Sequence, residues 1–108
     1  MGLFGGPKTK GAVIDPKAMA WNNKGNDFEH LDMLTEAIEA YDNAIMIIPL
    51  YADAWYNKGQ ILLKLGKNEE AIKAYGNVIK INPNDGGAWC NMGTALANLD
   101  KNAEAIKA

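Results

Sequence analysis

The sequence predicts an all-α protein built from a repeated pair of helices. Residues 54–59 read AWYNKG, and near copies, AWNNKG and AWCNMG, stand at residues 20–25 and 88–93. The tryptophans of these copies are 34 residues apart. Within each copy apolar residues recur at helical spacing, and no segment carries the signal of a strand. A long period with helical spacing inside it indicates a stack of helical units.

The same period relates residues of unlike chemistry, which argues against chance. It joins Gly25, Gly59 and Gly93; Ala37, Ala71 and Ala105; Tyr41 and Tyr75; and Pro49 and Pro83. We therefore expect one domain over residues 16–108, with copies at 18–51, 52–85 and 86–108, the last of them truncated. Residues 1–15 are rich in glycine and are expected to form a flexible lead.

The first helix of each copy contains the tryptophan. In the second copy its apolar or small face consists of Trp55, Gly59, Leu62 and Leu65. Asp15 followed by Pro16 is typical of a helix start and opens the first copy. The place where each first helix is expected to end is taken by Asp32, Gly66 and Asp100.

The second helix of each copy follows a short turn. Its expected N-caps are Thr35, Asn68 and Asn102, each followed by a glutamate in or near the first turn. Pro49 and Pro83 end the second helices, because proline stops a helix at about the preceding residue. In the third copy the second helix is expected to start near Asn102 and to be short.

We expect the tryptophans to be buried, because they share a face with the glycine that admits the paired helix. Asn23, Asn57 and Asn91, here called the Asn row, follow them by two residues. They lie about 200° around the helix from the tryptophans, so they point away from the core and no packing contact explains them. Either duplication copied them, or their amides offer a donor and an acceptor to a peptide backbone.

The spacing of Trp, Gly, a large apolar residue, Ala, Tyr and Pro resembles the tetratricopeptide repeat family over residues 18–108. The resemblance implies a solenoid of antiparallel helix pairs in a right-handed superhelix. Its first helices would line a concave groove, along which some members carry rows of asparagine. Lys24 and Lys58 stand where the family usually has leucine. We expect their stems to lie on the edge of the core and their ammonium groups to stay in water.

The groove surface then consists of positions that share one helical arc with the Asn row. The candidate site residues are Asn22, Asn23 and Asn26 in the first copy, Tyr56, Asn57, Gln60 and Lys64 in the second, and Cys90, Asn91 and Thr94 in the third. This amide-rich and mostly uncharged surface suits hydrogen bonding to a peptide backbone. The varying residue after each tryptophan would distinguish partners.

Family members that bind chaperone tails hold the terminal carboxylate with three cations and two asparagines. The resemblance places this clamp at Asn22, Asn26, Asn57, Gly87 and Asn91. Asn26 and Asn57 match, but none of the three cations is present. A carboxylate clamp depends on charge-assisted hydrogen bonds, so we do not expect an adaptor for chaperone tails.

Composition excludes several classes of function. The 108 residues carry a net charge of −2 and include no arginine, so we expect no nucleic-acid partner. No run approaches the roughly 18 apolar residues of a membrane span, and a single cysteine fits the cytoplasm. His30 and Cys90 lie in different copies, and no cluster has the spacing of a catalytic or metal site. We expect no enzyme, cofactor or metal.

The sequence therefore predicts a protein-interaction scaffold that binds a partner peptide or segment in its groove. The first copy holds six acids and one lysine, which would orient a segment with one basic end. One alternative is a structural unit that forms homo-oligomers through an uncapped C-terminal end, since repeat ends expose the face that stacks the next repeat. Another is a non-catalytic regulatory fragment of a larger protein.

Overall fold

The computed structural model describes residues 14–107. Five helices follow one another: α1 (Pro16–His30), α2 (Leu34–Ile47), α3 (Ala52–Lys64), α4 (Asn68–Ile81) and α5 (Gly86–Lys107). No strand occurs in this range, so the all-α prediction is confirmed. None of these helices is both long and apolar enough to cross a membrane. The predicted flexible lead falls almost wholly on residues 1–13, outside the described residues, and stays a prediction.

Short turns fold each helix back on the one before it. α1 packs against α2, α3 against α4, and α4 against α5. Along one side of the stack, α3 also contacts both α1 and α5. The described chain measures 67 × 30 × 18 Å and its radius of gyration is 16.1 Å. A compact domain of this size would have a radius of gyration of about 13 Å. The chain is therefore an elongated stack of helices, as expected of a solenoid.

The turns after α1 and α3 form where the sequence predicts them. Asp32 and Gly66 adopt the left-handed conformation, with φ of 60° and 76°. The next amide in each turn closes back on the helix: Met33 N donates to Phe28 O, and Lys67 N to Leu62 O, both at 2.8 Å. Glycine adopts this conformation without steric cost, and aspartate is among the few other residues that tolerate it.

The predicted cap is right at α1, whereas Thr35 and Asn68 are not the caps of α2 and α4. The Asp15 carboxylate accepts from Lys17 N at 2.8 Å, as expected of a cap. The cap positions of α2 and α4 are Met33 and Lys67, which make no side-chain cap bond. Asn68 is instead the first residue of α4, and its amide donates to Gly66 O at 3.2 Å.

The third copy does not form the expected helix pair. α5 runs from Gly86 to Lys107 without a break, so Asp100 is helical and Asn102 caps no second helix. Residues 101–106 are all exposed. A turn at Asp100 would be stable only if the residues after it buried enough apolar surface against α5. So short a segment buries little. The helix therefore continues, because propagation gains a hydrogen bond with each residue.

The core consists of small residues and two tyrosines. Ala37, Ala71 and Ala74 are buried, and Tyr41 and Tyr75 are fully buried between the helices of their pairs. The tyrosine rings lie against Gly25 and Gly59, and a Cβ added to Gly59 would stand 2.9 Å from the Tyr75 ring. The glycine at this position is therefore required by close approach of the paired helix.

The tryptophans are less buried than the sequence suggests. Trp21 and Trp55 are half-buried, and 53% of Trp89 is exposed. The indole N–H of Trp55 donates to Pro49 O, and that of Trp89 to Pro83 O, both at 2.8 Å. Each indole thus tethers a first helix to the end of the preceding copy. An indole N–H needs such an acceptor, which places the ring at the edge of the core.

Candidate functional site

A cavity lies where α1 and α3 face each other, and we call it the first groove pocket. Its volume is about 580 Å³. The lining residues are Asn22, Asn23, Asn26, Ala52, Asp53, Tyr56, Asn57, Asn82 and Asp85. Five of the ten candidate residues predicted from the sequence line this one cavity. Amide groups and two carboxylates dominate its wall, and no lysine belongs to the described lining.

A smaller cavity, the second groove pocket, lies between α3 and α5. It has a volume of about 260 Å³ and is lined by Gln60, Leu63, Lys64, Tyr75 and Asn91. Three further candidate residues therefore meet here. The remaining two, Cys90 and Thr94, are exposed on α5 and line neither pocket. The Thr94 hydroxyl turns back and donates to Cys90 O at 3.3 Å.

Two members of the Asn row make contacts within the chain that the sequence does not reveal. Asn57 Nδ2 donates to Asn22 Oδ1, and Asn91 Nδ2 donates to the Tyr56 hydroxyl, both at 3.1 Å. The expectation that nothing inside the chain explains these residues is therefore wrong. Each amide links its helix to the first helix of the preceding copy. Each amide also retains a second N–H and its oxygen for other partners.

Asn23 differs from the other two because its helix has no first helix before it in the described range. Its side chain is exposed and makes no hydrogen bond to another described residue. Neighbouring Asn22 is only 7% exposed and accepts the bond from Asn57. Among the described residues, the row therefore begins with an amide that joins no other helix and continues with amides that join the copies.

Two buried tyrosines reach toward the groove from the second helices. The Tyr41 hydroxyl donates to Asn26 Oδ1 at 2.7 Å and lies 3.3 Å from Glu29 Oε1. Burial, with the nearby Glu29 charge, raises the pKa of Tyr41 far above its usual value. Burial, with the neighbouring Tyr56, raises the pKa of Tyr75 to about 12, while the nearby Asn91 side chain acts in the opposite direction. The Tyr75 hydroxyl has no hydrogen-bond partner among residues 14–107.

Lysines stabilise the stack from both sides. Lys64 Nζ lies 2.9 Å from Glu29 Oε2 and so joins α3 to α1. Lys58 Nζ lies 2.7 Å from Asp42 Oδ1 and 5.5 Å from the centre of the Trp55 ring. Lys24 Nζ stands 5.4 Å from the Trp21 ring in the same way. The lysines that replace leucine therefore cover the tryptophan faces with their ammonium groups, a favourable cation–π arrangement.

Three pocket residues that the sequence reasoning missed lie outside the first helices. Asn82 and Asp85 come from the turn before α5, and Tyr75 comes from a second helix. Asp85 Oδ1 accepts from Ala88 N at 3.0 Å, so it caps α5. An aspartate before a first helix is a recognisable cap, and the start of such a helix lies at the groove. The helical spacing does not indicate that Tyr75, on the second helix of its pair, reaches the second groove pocket.

Three tetratricopeptide models match this chain. One described as "Tetratricopeptide repeat" matches residues 52–85, one described as "TPR repeat" matches residues 31–66, and a second "Tetratricopeptide repeat" matches residues 74–107. Together they extend over most of the described chain. No curated protein matches it significantly.

Several solved structures share the fold. The MamA protein is 32% identical, with a TM-score of 0.77 over 84% of this chain and 50% of its own. The second TPR domain of Spaghetti (RPAP3), bound to the HSP90 peptide SRMEEVD, is 29% identical, with a TM-score of 0.76 over 85% of both chains. The TPR2B domain of yeast Sti1, in a complex with pHsp70, is 26% identical, with a TM-score of 0.76 over 86% of this chain and 74% of its own. This chain thus spans about half the length of the MamA structures.

Proposed function

The chain belongs to the tetratricopeptide repeat family, and from this premise we propose that it is a non-catalytic scaffold that holds a partner protein in its groove. The partner contributes an extended segment that lies along α1, α3 and α5. The observation that carries the proposal is the first groove pocket, where five sequence-predicted residues line one cavity of about 580 Å³. Amides on neighbouring helices suit the alternating donors and acceptors of an extended backbone.

The charge of the first groove pocket favours a basic side chain in the bound segment. Asp53 and Asp85 both line it, and the described lining holds no cation. Carboxylates near a cavity attract a lysine or arginine and repel an acidic group. The Spaghetti domain binds an acidic HSP90 peptide. We propose that this chain rejects such tails, because the clamp positions hold asparagine and glycine instead of cations.

Amide chemical-shift mapping tests the proposal directly. The ligands are pools of capped nonapeptides with a fixed central lysine and matched pools with glutamate in that place. We expect lysine pools to shift the amides of Asn23, Asp53 and Asn57, and the acidic peptides to leave them in place. Binding of the glutamate pools in preference to the lysine pools would contradict the assignment of charge.

Asn23→Ala provides the mutational test, because this amide lines the pocket without joining the copies. We expect it to weaken binding of the lysine pool by about fivefold, the value of one neutral hydrogen bond, with the unfolding midpoint unchanged. Asn77→Ala is the matched control, since Asn77 lies on α4 and donates to Lys73 O of its own helix at 3.1 Å. Equal affinity for the wild type and Asn23→Ala would remove the Asn row from the binding surface.

A second candidate function is self-association through α5, which one observation favours. Three large apolar residues of α5 are exposed: Trp89 at 53%, Leu96 at 50% and Ile106 at 85%. We propose a second copy of the chain as the occupant of this face. Light scattering over a range of concentrations should show dimers that Leu96→Gln dissociates. Met46→Gln, at another exposed apolar site, is the control, and a monomer at every concentration would rule the candidate out.

The remaining predictions concern the setting of the scaffold. A regulatory segment of a larger protein stays an alternative that uses the same groove. The cytoplasmic location rests on cysteine usage, with one cysteine in the chain. Neither bears on the groove experiments, which address the described residues alone.

A further inference from the structure

The first two copies carry a tyrosine at the same place, but their hydroxyl groups differ. Tyr41 donates to Asn26 at 2.7 Å and lies 3.3 Å from a carboxylate oxygen of Glu29. Tyr75 is fully buried, and its hydroxyl has no partner in the described chain. Buried hydroxyl groups are almost always hydrogen-bonded, because burying one without a partner costs free energy. This exception therefore needs a physical explanation.

Two residues at the positions that serve the Tyr41 hydroxyl differ in the second copy. One step of 34 residues replaces Asn26 by Gln60 and Glu29 by Leu63. Leucine has no acceptor, so the carboxylate that serves Tyr41 has no counterpart beside Tyr75. The change also removes the negative charge at this position of the groove.

The second groove pocket opens onto this position. It measures about 260 Å³, and Tyr75 shares its lining with Gln60, Leu63, Lys64 and Asn91. The Asn91 amide already donates one N–H to the Tyr56 hydroxyl. The Tyr75 hydroxyl keeps its proton at neutral pH and can donate, because a tyrosine ordinarily loses its proton only at about pH 10. The wall thus presents an ammonium group and amides, Tyr75 belongs to the lining with its hydroxyl oxygen buried, and no carboxylate is among the lining residues described.

Glu29 shows that one carboxylate can lie beside a tyrosine hydroxyl and a lysine ammonium group at the same time. Its Oε1 lies 3.3 Å from the Tyr41 hydroxyl, and its Oε2 lies 2.9 Å from Lys64 Nζ. We propose that the second groove pocket receives a glutamate or aspartate side chain of the bound segment, which accepts hydrogen bonds from Tyr75 and Lys64. Lys64 is 55% exposed along its side chain, so it can turn from Glu29 to the incoming carboxylate.

This inference rests on the proposed function and adds the orientation of the bound segment along the groove. The bound segment has a basic residue over the first groove pocket and an acidic residue over the second. A segment with these charges reversed would place like charges together in both pockets, which is unfavourable.

The test compares capped nonapeptide pools with a fixed lysine and, at each other position in turn, either glutamate or glutamine. We expect glutamate pools to bind more tightly and to shift the Lys64 and Asn91 signals. Tyr75→Phe should reduce that preference by about tenfold, as expected for a hydrogen bond to a charged group. Tyr41→Phe, the matched variant in the first copy, should leave the preference intact. Leu63→Glu should abolish it by placing a carboxylate inside the chain.

The outcomes separate this inference from the proposed function. Shifts at the first groove pocket without discrimination between glutamate and glutamine would overturn the inference alone. It would also be overturned if Tyr75→Phe keeps the full preference, or if a crystal structure with a glutamate peptide shows only water at the Tyr75 hydroxyl. Absence of any groove shift with every pool would overturn both proposals.

Discussion

Tyr41 and Tyr75 show how one residue type takes two roles at equivalent places in a repeat. Both rings fill the space between paired helices and are fully buried. The Tyr41 hydroxyl is a structural group, because it joins α2 to Asn26 on α1. The Tyr75 hydroxyl contributes no such bond among the described residues. The ring is therefore required by packing in both copies, whereas the hydroxyl stabilises only the first.

Removal of each hydroxyl should change stability in different ways. Tyr41→Phe deletes a hydrogen bond and leaves Asn26 without its donor, so we expect a loss of about 1 to 2 kcal/mol in the free energy of unfolding. Tyr75→Phe removes an unpartnered buried hydroxyl, so stability should stay constant or rise by up to about 1 kcal/mol. Urea unfolding of both variants measures this. Equal losses would mean that Tyr75 is hydrogen-bonded in solution.

Alkaline pH should expose the same difference. The unfolded chain releases the Tyr75 proton near the ordinary pKa of 10.0, whereas burial in the folded chain raises that pKa to about 12. The contribution of this group to stability is therefore complete below pH 10 and is lost as the pH rises from 10 to about 12. Urea unfolding across this range should show a smaller loss for Tyr75→Phe than for the wild type. An identical loss in both would contradict the raised pKa.

At the scale of the element, the first helices share a sequence but not an environment. α1 and α3 each bring a glycine against a tyrosine of the paired helix. Gly93 holds the same position in α5, yet nothing lies within 4 Å of a Cβ built there. The difference arises because α5 continues as one helix, so no second helix of the third copy packs on it. The repeated glycine is thus required in two copies and unnecessary in the third.

Alanine at these glycines should have opposite effects. Gly59→Ala places a Cβ 2.9 Å from the Tyr75 ring, and overpacking of this kind costs about 1 to 3 kcal/mol. Gly93→Ala meets no atom, and exchange of glycine for alanine in an exposed helix gains about 1 kcal/mol. Thermal unfolding measures both. A destabilising Gly93→Ala would show that a second helix packs on α5 in solution.

At the scale of the molecule, each helix is stabilised mainly by its contacts with neighbouring helices. Each helix contacts its neighbours in the stack, and within the described range α1 and α5 do not touch. Hydrogen bonds between the copies, such as those of Asn57, Asn91 and the two indoles, reinforce these local interfaces. In a stack of this kind the central elements have covered faces on both sides, and the ends open first.

Hydrogen exchange should therefore follow a gradient along the chain. We expect the slowest amides in α3 and α4, which pack on helices before and after them. Residues 101–106 are all exposed, so the end of α5 should exchange fastest among the described helices. Mass spectrometry of peptic fragments measures the order. Slow exchange over residues 101–106 at low protein concentration would show that another surface covers this end.

The sequence by itself determined the helices of the first two copies, their turns at Asp32 and Gly66, and the face that carries Asn22, Asn23 and Asn57. These features follow from spacing along one helix, which residue types reveal directly. The tertiary structure decided which hydrogen bonds join the copies, whether the Tyr75 hydroxyl is satisfied, and whether α5 turns back at Asp100. Such features depend on groups about one repeat apart in the chain and on the area that a turn can bury. Equivalent residues of the repeat therefore form the same local structure in each of the first two copies, but their contacts differ from one copy to the next.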